Sequence, residues 1–175
     1  IAGFFGRPYW EVAVDVIRPF VGGEISDADL GRRANEAYAT SRHPAVVPLD
    51  QTGPNRFMLE LFHGPTLAFK DVAMQLISRL MDHVLAKRNQ RTTIVVATSG
   101  DTGGAAVDAF AGLDNVDLVV LFPNGRISDV QRRMMTTTGA ANVHALAIEG
   151  TFDDCQALVK AMFNHHGFRD AVSLS

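Results

Sequence analysis

The stretch Thr93–Ala106, TIVVATSGDTGGAA, contains a strand, a glycine turn and the start of a helix. Its first six residues, TIVVAT, are β-branched and apolar and read as a strand at 93–98. The small residues that follow turn the chain, and a helix is expected over 102–112. A strand that runs through glycines directly into a helix is the building unit of a parallel α/β sheet.

Reading outward, the same alternation continues. Downstream come a strand VDLVVLF at 116–122, a helix over 128–137 capped by Ser128, and a strand VHALAI at 143–148. A helix over 152–166 capped by Thr151 and a last strand near 171–174 complete the series. Upstream, a helix spans about 67–88. Short connections between alternating elements imply right-handed crossovers, hence an α/β fold with a mostly parallel sheet and helices on both faces. Ligands in such sheets sit beyond the carboxyl ends of the strands, which directs attention to the loops after Thr98, Phe122 and Ile148.

The N-terminal region has another texture. PYWEVAVDVIRPFV, residues 8–21, reads as a helix interrupted near Pro19, and Ser26 caps a second helix in DADLGRRANEAYAT. After Pro44, AVVPL and FMLELF are strand-like around a turn-rich DQTGPN, which suggests a hairpin. The expected division is a short helical N-terminal layer, residues 1–44, followed by an incomplete α/β domain, residues 45–175. The chain begins at Ile1 and ends in AVSLS, which reads as an unfinished strand and suggests a fragment.

Composition limits the function classes. Hydrophobic residues make up 47% of the 175 and charged residues 20%, an ordinary balance for a folded domain. With 16 basic against 19 acidic residues and no basic stripe, nucleic acid is not an expected partner. The longest apolar runs are strand-sized, so no membrane span is expected. Cys155 is the only cysteine, which excludes an intrachain disulfide and fits a reducing cytoplasm. The six histidines lack metal-ligand spacing, and His165–His166 at a helix end suit the dipole there.

Three segments carry candidate chemistry. In HGPTLAFKD, residues 63–71, Lys70 falls in the first turn of the expected helix, where the positive dipole end makes a cation unfavourable by up to ~1 kcal/mol. Ala73, Met74 and Ile77 give its face an apolar character, whereas Asp71, Gln75, Ser78, Arg79 and Asp82 form the polar face. One reading is a lysine that snorkels to water; the other is a desolvated amine poised to form a Schiff base.

The second segment is the loop of TIVVATSGDTGGAA. Ser99, Gly100, Asp101, Thr102 and Gly103 combine two hydroxyls, small residues and free helix N-terminal amides, a pocket suited to a carboxylate or phosphate. It is neither a Walker loop nor a dinucleotide fingerprint, and a plain strand-to-helix turn is the competing reading. In the third, FPNGRISDVQRRMM at 122–135, Asn124–Gly125 turns the chain and Arg126 stands near a strand end. Cys155 lies inside a helix and reads as a packed core thiol.

Taken in order, RPFVGGEIS, ELFHGPTLAFKDVAMQ, ATSGDTGGAA, LFPNGRISDVQRRMMTT and NVHALAIEGTFDDCQALVKAMF resemble one family, the threonine synthases of bacterial and fungal type. These motifs cover about residues 18–168. The resemblance implies a fold-type II pyridoxal-phosphate enzyme that converts O-phospho-L-homoserine and water to L-threonine and phosphate. It implies that Lys70 holds the cofactor covalently and moves the protons, that Ser99, Gly100, Asp101, Thr102 and Gly103 bind the substrate carboxylate, and that Asp101 also borders the cofactor, where many relatives carry Asn. The glycine-rich segment that grips the cofactor phosphate in that family has no counterpart here, and the family is longer at both ends, so the resemblance implies an internal piece. The alternatives are another fold-type II lyase such as a threonine dehydratase, or a non-catalytic fragment that binds small anions. Oligomeric state is left open.

Overall fold

Local capping signals and hydrophobic period place most of the elements found in the computed structural model, which describes residues 2–175. The chain forms two compact units, one running to Val84 and the other from Leu85 to Ser175. The change of texture at Pro44 lies inside the first of them.

In the first unit, a short 3-10 turn at Ala2–Phe4 precedes α1 (Tyr9–Val21) and α2 (Asp27–Tyr38). Helix α1 runs through Pro19 rather than breaking there, because a proline in the last turn forfeits a single i to i−4 bond and Gly22 then ends the helix. Ser26 caps α2, its hydroxyl accepting from the Asp29 amide at 3.1 Å. The strand expected at AVVPL does not form: Val46 takes φ 61°, and Pro48 has no amide to give a ladder. Instead β1 (Leu49–Gly53) pairs antiparallel with β2 (Arg56–Leu59) around Pro54–Asn55. Phe57, Met58 and Leu59 of this hairpin remain more than half exposed.

Helix α3 (Asp71–Arg88) starts later than the pattern suggests, and Lys70 precedes it. Val14, Ile25, Leu30, Ala34, Ala37 and Leu76 form the first unit's core, with Leu80 and Val84 packed against it. The polar-face assignment fails for three residues. Asp71, Gln75 and Ser78 are buried, whereas Ile77, read as part of the apolar face, is 45% exposed. Each buried polar group has a partner: Asp71 receives Thr66, Gln75 Oε1 accepts from Arg79, and Ser78 donates to the Gln75 carbonyl.

The second unit is a parallel sheet of β3 (Thr92–Ala97), β4 (Val116–Pro123) and β5 (Val143–Ile148) in that order. The crossovers are α4 (Asp101–Phe110) and α5 (Asp129–Thr136), which pack against each other. Central β4 is the most buried strand, with Val116, Leu118 and Val120 fully inside. After β5 come α6 (Phe152–Asn164), packed across β3 and β4, and α7 (His166–Ala171). The expected single helix to 166 is therefore two, with His165 Nδ1 accepting from the Phe168 amide at 3.0 Å as the cap of α7. The expected last strand is reduced to one bridge, Leu174 pairing parallel to Thr93, because α7 takes the residues before it.

That bridge matters for function. The chain leaves β3 toward β4 and β5, then returns to the other side of β3, so the strand order reverses beside β3. A right-handed return places α6 on the face opposite α4 and α5. Sheets of this kind bind ligands at such a reversal, outside the carboxyl end of the strand. The loop found there is Ser99–Gly103. Cys155, in α6, is fully buried, and burial pushes its thiol up from the ordinary value, as suits a core residue.

Candidate active site

Two clusters contain the candidate residues: Lys70 belongs to the first unit and the Ser99–Gly103 loop to the second.

Lys70 is the last residue before α3, and its carbonyl accepts from the Ala73 amide at 3.2 Å and the Met74 amide at 2.9 Å. Its Cα is thereby seated at the N-cap position. The side chain is half-buried, and Nζ lies over the Phe69 ring, 4.4 Å from its centroid. Phe69 in turn lines an open apolar groove of about 550 Å³, with Tyr9, Leu61, Val72, Ala73 and Ile77 among its other walls. Ala73 and Ile77, expected to turn the lysine face inward, are exposed on this groove. Upstream, the His63 carbonyl accepts from the Arg42 amide at 2.8 Å, and His63 Nε2 lies 2.6 Å from Glu60. These contacts anchor the entry to the loop.

The glycine loop is organised by a residue that the sequence reading passed over. Thr98, at the end of β3 and 2% exposed, accepts through Oγ1 from the amides of both Gly100 and Gly103, each at 2.9 Å. One hydroxyl thus satisfies two donors in the turn. The Gly104 amide goes to the Gly100 carbonyl at 3.0 Å, so the amides of Asp101 and Thr102 are the first-turn donors left for a ligand. Ser99 and Asp101 are exposed and Thr102 is half-buried.

Two glycines are required here for different reasons. Gly100 takes φ 141°, and a Cβ on it would stand 2.2 Å from Gln131 Cδ. At Gly103 a Cβ would meet Met135 Sδ at 2.4 Å and Thr98 Cγ2 at 2.5 Å. A larger residue at Gly103 would press α4 away from Thr98 and Met135, whereas at Gly100 it would strain the backbone and displace the Gln131 side chain.

Gln131 is the second unanticipated residue. Its Nε2 donates to Asp101 Oδ1 at 2.8 Å, while its Oε1 accepts from Ser128 Oγ at 2.9 Å. The signal in the sequence was the capping box of Ser128 with Gln131, which marks the start of α5. Nothing local indicates that the same amide reaches the loop after β3. Arg126, in contrast, is exposed beyond β4, and Gly125 takes φ 66° in the turn before it. Asn124 Nδ2 donates to Glu149 at 2.6 Å and thereby ties the loops after β4 and β5.

Comparison with known proteins agrees with this topology. A family model described as pyridoxal-phosphate dependent enzyme matches residues 47–172. The chain is 55% identical over 174 residues to the threonine synthase of Pseudomonas aeruginosa, covering 99% of the chain and 37% of that relative. Among solved structures, pyridoxal-phosphate-bound threonine synthase from Brucella melitensis superposes with a TM-score of 0.93 at 64% identity, over 99% of this chain and 38% of that one. Threonine synthase from yeast superposes with a TM-score of 0.85 at 40% identity, over 93% of this chain and 35% of that one. The chain thus spans about a third of the length of the relatives it matches.

Proposed function

The chain belongs to the pyridoxal-phosphate dependent enzyme family, and from that premise we propose that it carries the lysine and the substrate-carboxylate loop of a threonine synthase. The reaction is conversion of O-phospho-L-homoserine and water to L-threonine and phosphate. The observation that carries this reading is identity of 55% and 64% to two threonine synthases along 99% of the chain. Those similarities favour it over another lyase of the family or a non-catalytic anion-binding piece. A small-molecule substrate and a cytoplasmic setting go with it.

The residues fit the cofactor. Lys70 offers a primary amine on a residue whose carbonyl is held by the Ala73 and Met74 amides, with Nζ over Phe69. Lys70 would hold pyridoxal phosphate, which when bound supplies an electron sink for the substrate's α-carbon.

The chain's own groups do the rest. Lys70 takes and returns protons at the substrate's carbons as base and then acid, which contributes about 10²–10⁴-fold in comparable enzymes. The amides of Asp101 and Thr102, with the Ser99 and Thr102 hydroxyls and the close approach that Gly100 and Gly103 permit, orient the substrate carboxylate.

Lys70→Ala tests this in the complete polypeptide. Threonine formation is expected to fall by about 10³-fold or more, with no pyridoxyl label fixed at that position by borohydride. The melting temperature should stay close to that of the unaltered enzyme, since Lys70 is half-exposed. Retained turnover overturns the role assigned to Lys70.

A further inference from the structure

Immediately beside Lys70 is a closed loop whose construction the catalytic roles above do not use. Asp71 is 2% exposed, and both of its carboxylate oxygens are engaged by one residue. Oδ2 accepts from the Thr66 amide at 2.9 Å and Oδ1 from the Thr66 hydroxyl at 2.7 Å. The ring closed by these bonds contains Leu67, Ala68, Phe69 and Lys70. A Cβ on Gly64 would stand 2.4 Å from Asp71 Cβ and from Oδ2, so the carboxylate occupies the space that only a glycine leaves open.

Inside the ring, Leu67 adopts φ 64°. A left-handed Leu costs about 1 kcal/mol or more and persists only where its surroundings over-determine it. Burial does not repay this cost, because Leu67 is 51% exposed. A buried carboxylate is likewise a poor source of stability compared with an apolar residue of the same size. Two locally unfavourable choices, an exposed left-handed Leu and a buried acid, are thus combined to set the path of the four residues that end in Lys70.

We propose that Thr66 and Asp71 are positioning residues for Lys70: their two-bond clamp fixes the loop so that the lysine amine is presented in one place. The clamp acts by geometry, not by charge on the amine. This rests on the reading of Lys70 given above.

The test uses the complete polypeptide, with pyridoxal phosphate as the probe. The readouts are the rate at which a borohydride-fixed pyridoxyl label appears on Lys70 by peptide mass, kcat and KM for O-phospho-L-homoserine, and melting temperature. Thr66→Val removes the hydroxyl and is expected to slow labelling and lower kcat by about tenfold or more, as ångström-scale misplacement does, with KM changed less. Thr66→Ser and Asp71→Asn, which keep a two-bond geometry, are expected to stay within about threefold of the unaltered enzyme. Val14→Ala, in the core of the same unit, should lower the melting temperature without slowing the labelling.

Labelling and kcat unchanged in Thr66→Val overturn the clamp and leave Lys70's role standing. Asp71→Asn as damaging as Thr66→Val overturns it in favour of a charge role. Val14→Ala slowing the labelling as much as Thr66→Val reduces the effect to general stability and also overturns it. No label on Lys70 in the unaltered enzyme overturns both the clamp and the reading beneath it.

Discussion

Gln131 Nε2 donates to Asp101 Oδ1 at 2.8 Å, joining the first turn of α5 to the first residue of α4. The same side chain closes the capping box with Ser128 and packs against Gly100. One amide therefore sets both a helix start and the wall of the glycine loop.

Gln131→Ala should loosen that wall. In the complete polypeptide, KM for O-phospho-L-homoserine is expected to rise about 3–10-fold, equivalent to the ~1 kcal/mol of one hydrogen bond. Gln131→Glu should be worse, since it sets a second carboxylate against Asp101. Steady-state kinetics check both; an unchanged KM in Gln131→Glu would show that the loop does not depend on this brace.

Thr98→Val keeps the shape at the end of β3 and removes the acceptor shared by the Gly100 and Gly103 amides. Leaving buried donors unpaired costs about 1–3 kcal/mol, so the urea midpoint should fall measurably. Hydrogen exchange at those two amides should accelerate in the same variant, whereas the β4 amides should exchange as before unless global opening dominates.

Tyr38 provides a pH signature for the first unit. Burial, with Tyr9 nearby at a ring-centroid distance of 4.7 Å, pushes its phenol up from 10.0 to about 12. A raised folded value means that the stabilising difference is fully present below the unfolded value near 10.0 and is lost as pH rises toward about 12. Stability measured by urea should therefore decline across that window, and Tyr38→Phe should flatten the decline. Ultraviolet titration of the phenols should show one late step that disappears in the same variant.

Much of this was legible in sequence because the governing interactions are short-range. The strand VHALAI is found at Val143–Ile148, and the caps at Ser26, Ser128 and Thr151 all form, since each cap depends on a donor only three residues away. The same locality explains why Lys70 and the SGDTG loop could be singled out from motif and element order alone.

Short-range signals in the chain thus gave the alternation of elements and the capped helix starts after Ser26, Ser128 and Thr151, and they drew attention to Lys70 and the Ser99–Gly103 turn. Tertiary structure alone decided which face of α3 is buried, that α7 displaces the expected last strand, and that Gln131 reaches Asp101. The physical reason is range. Periodicity reports a helix's own pattern, but burial depends on what packs against it, and a buried acid such as Asp71 looks like a surface residue until Thr66 is seen to meet both of its oxygens.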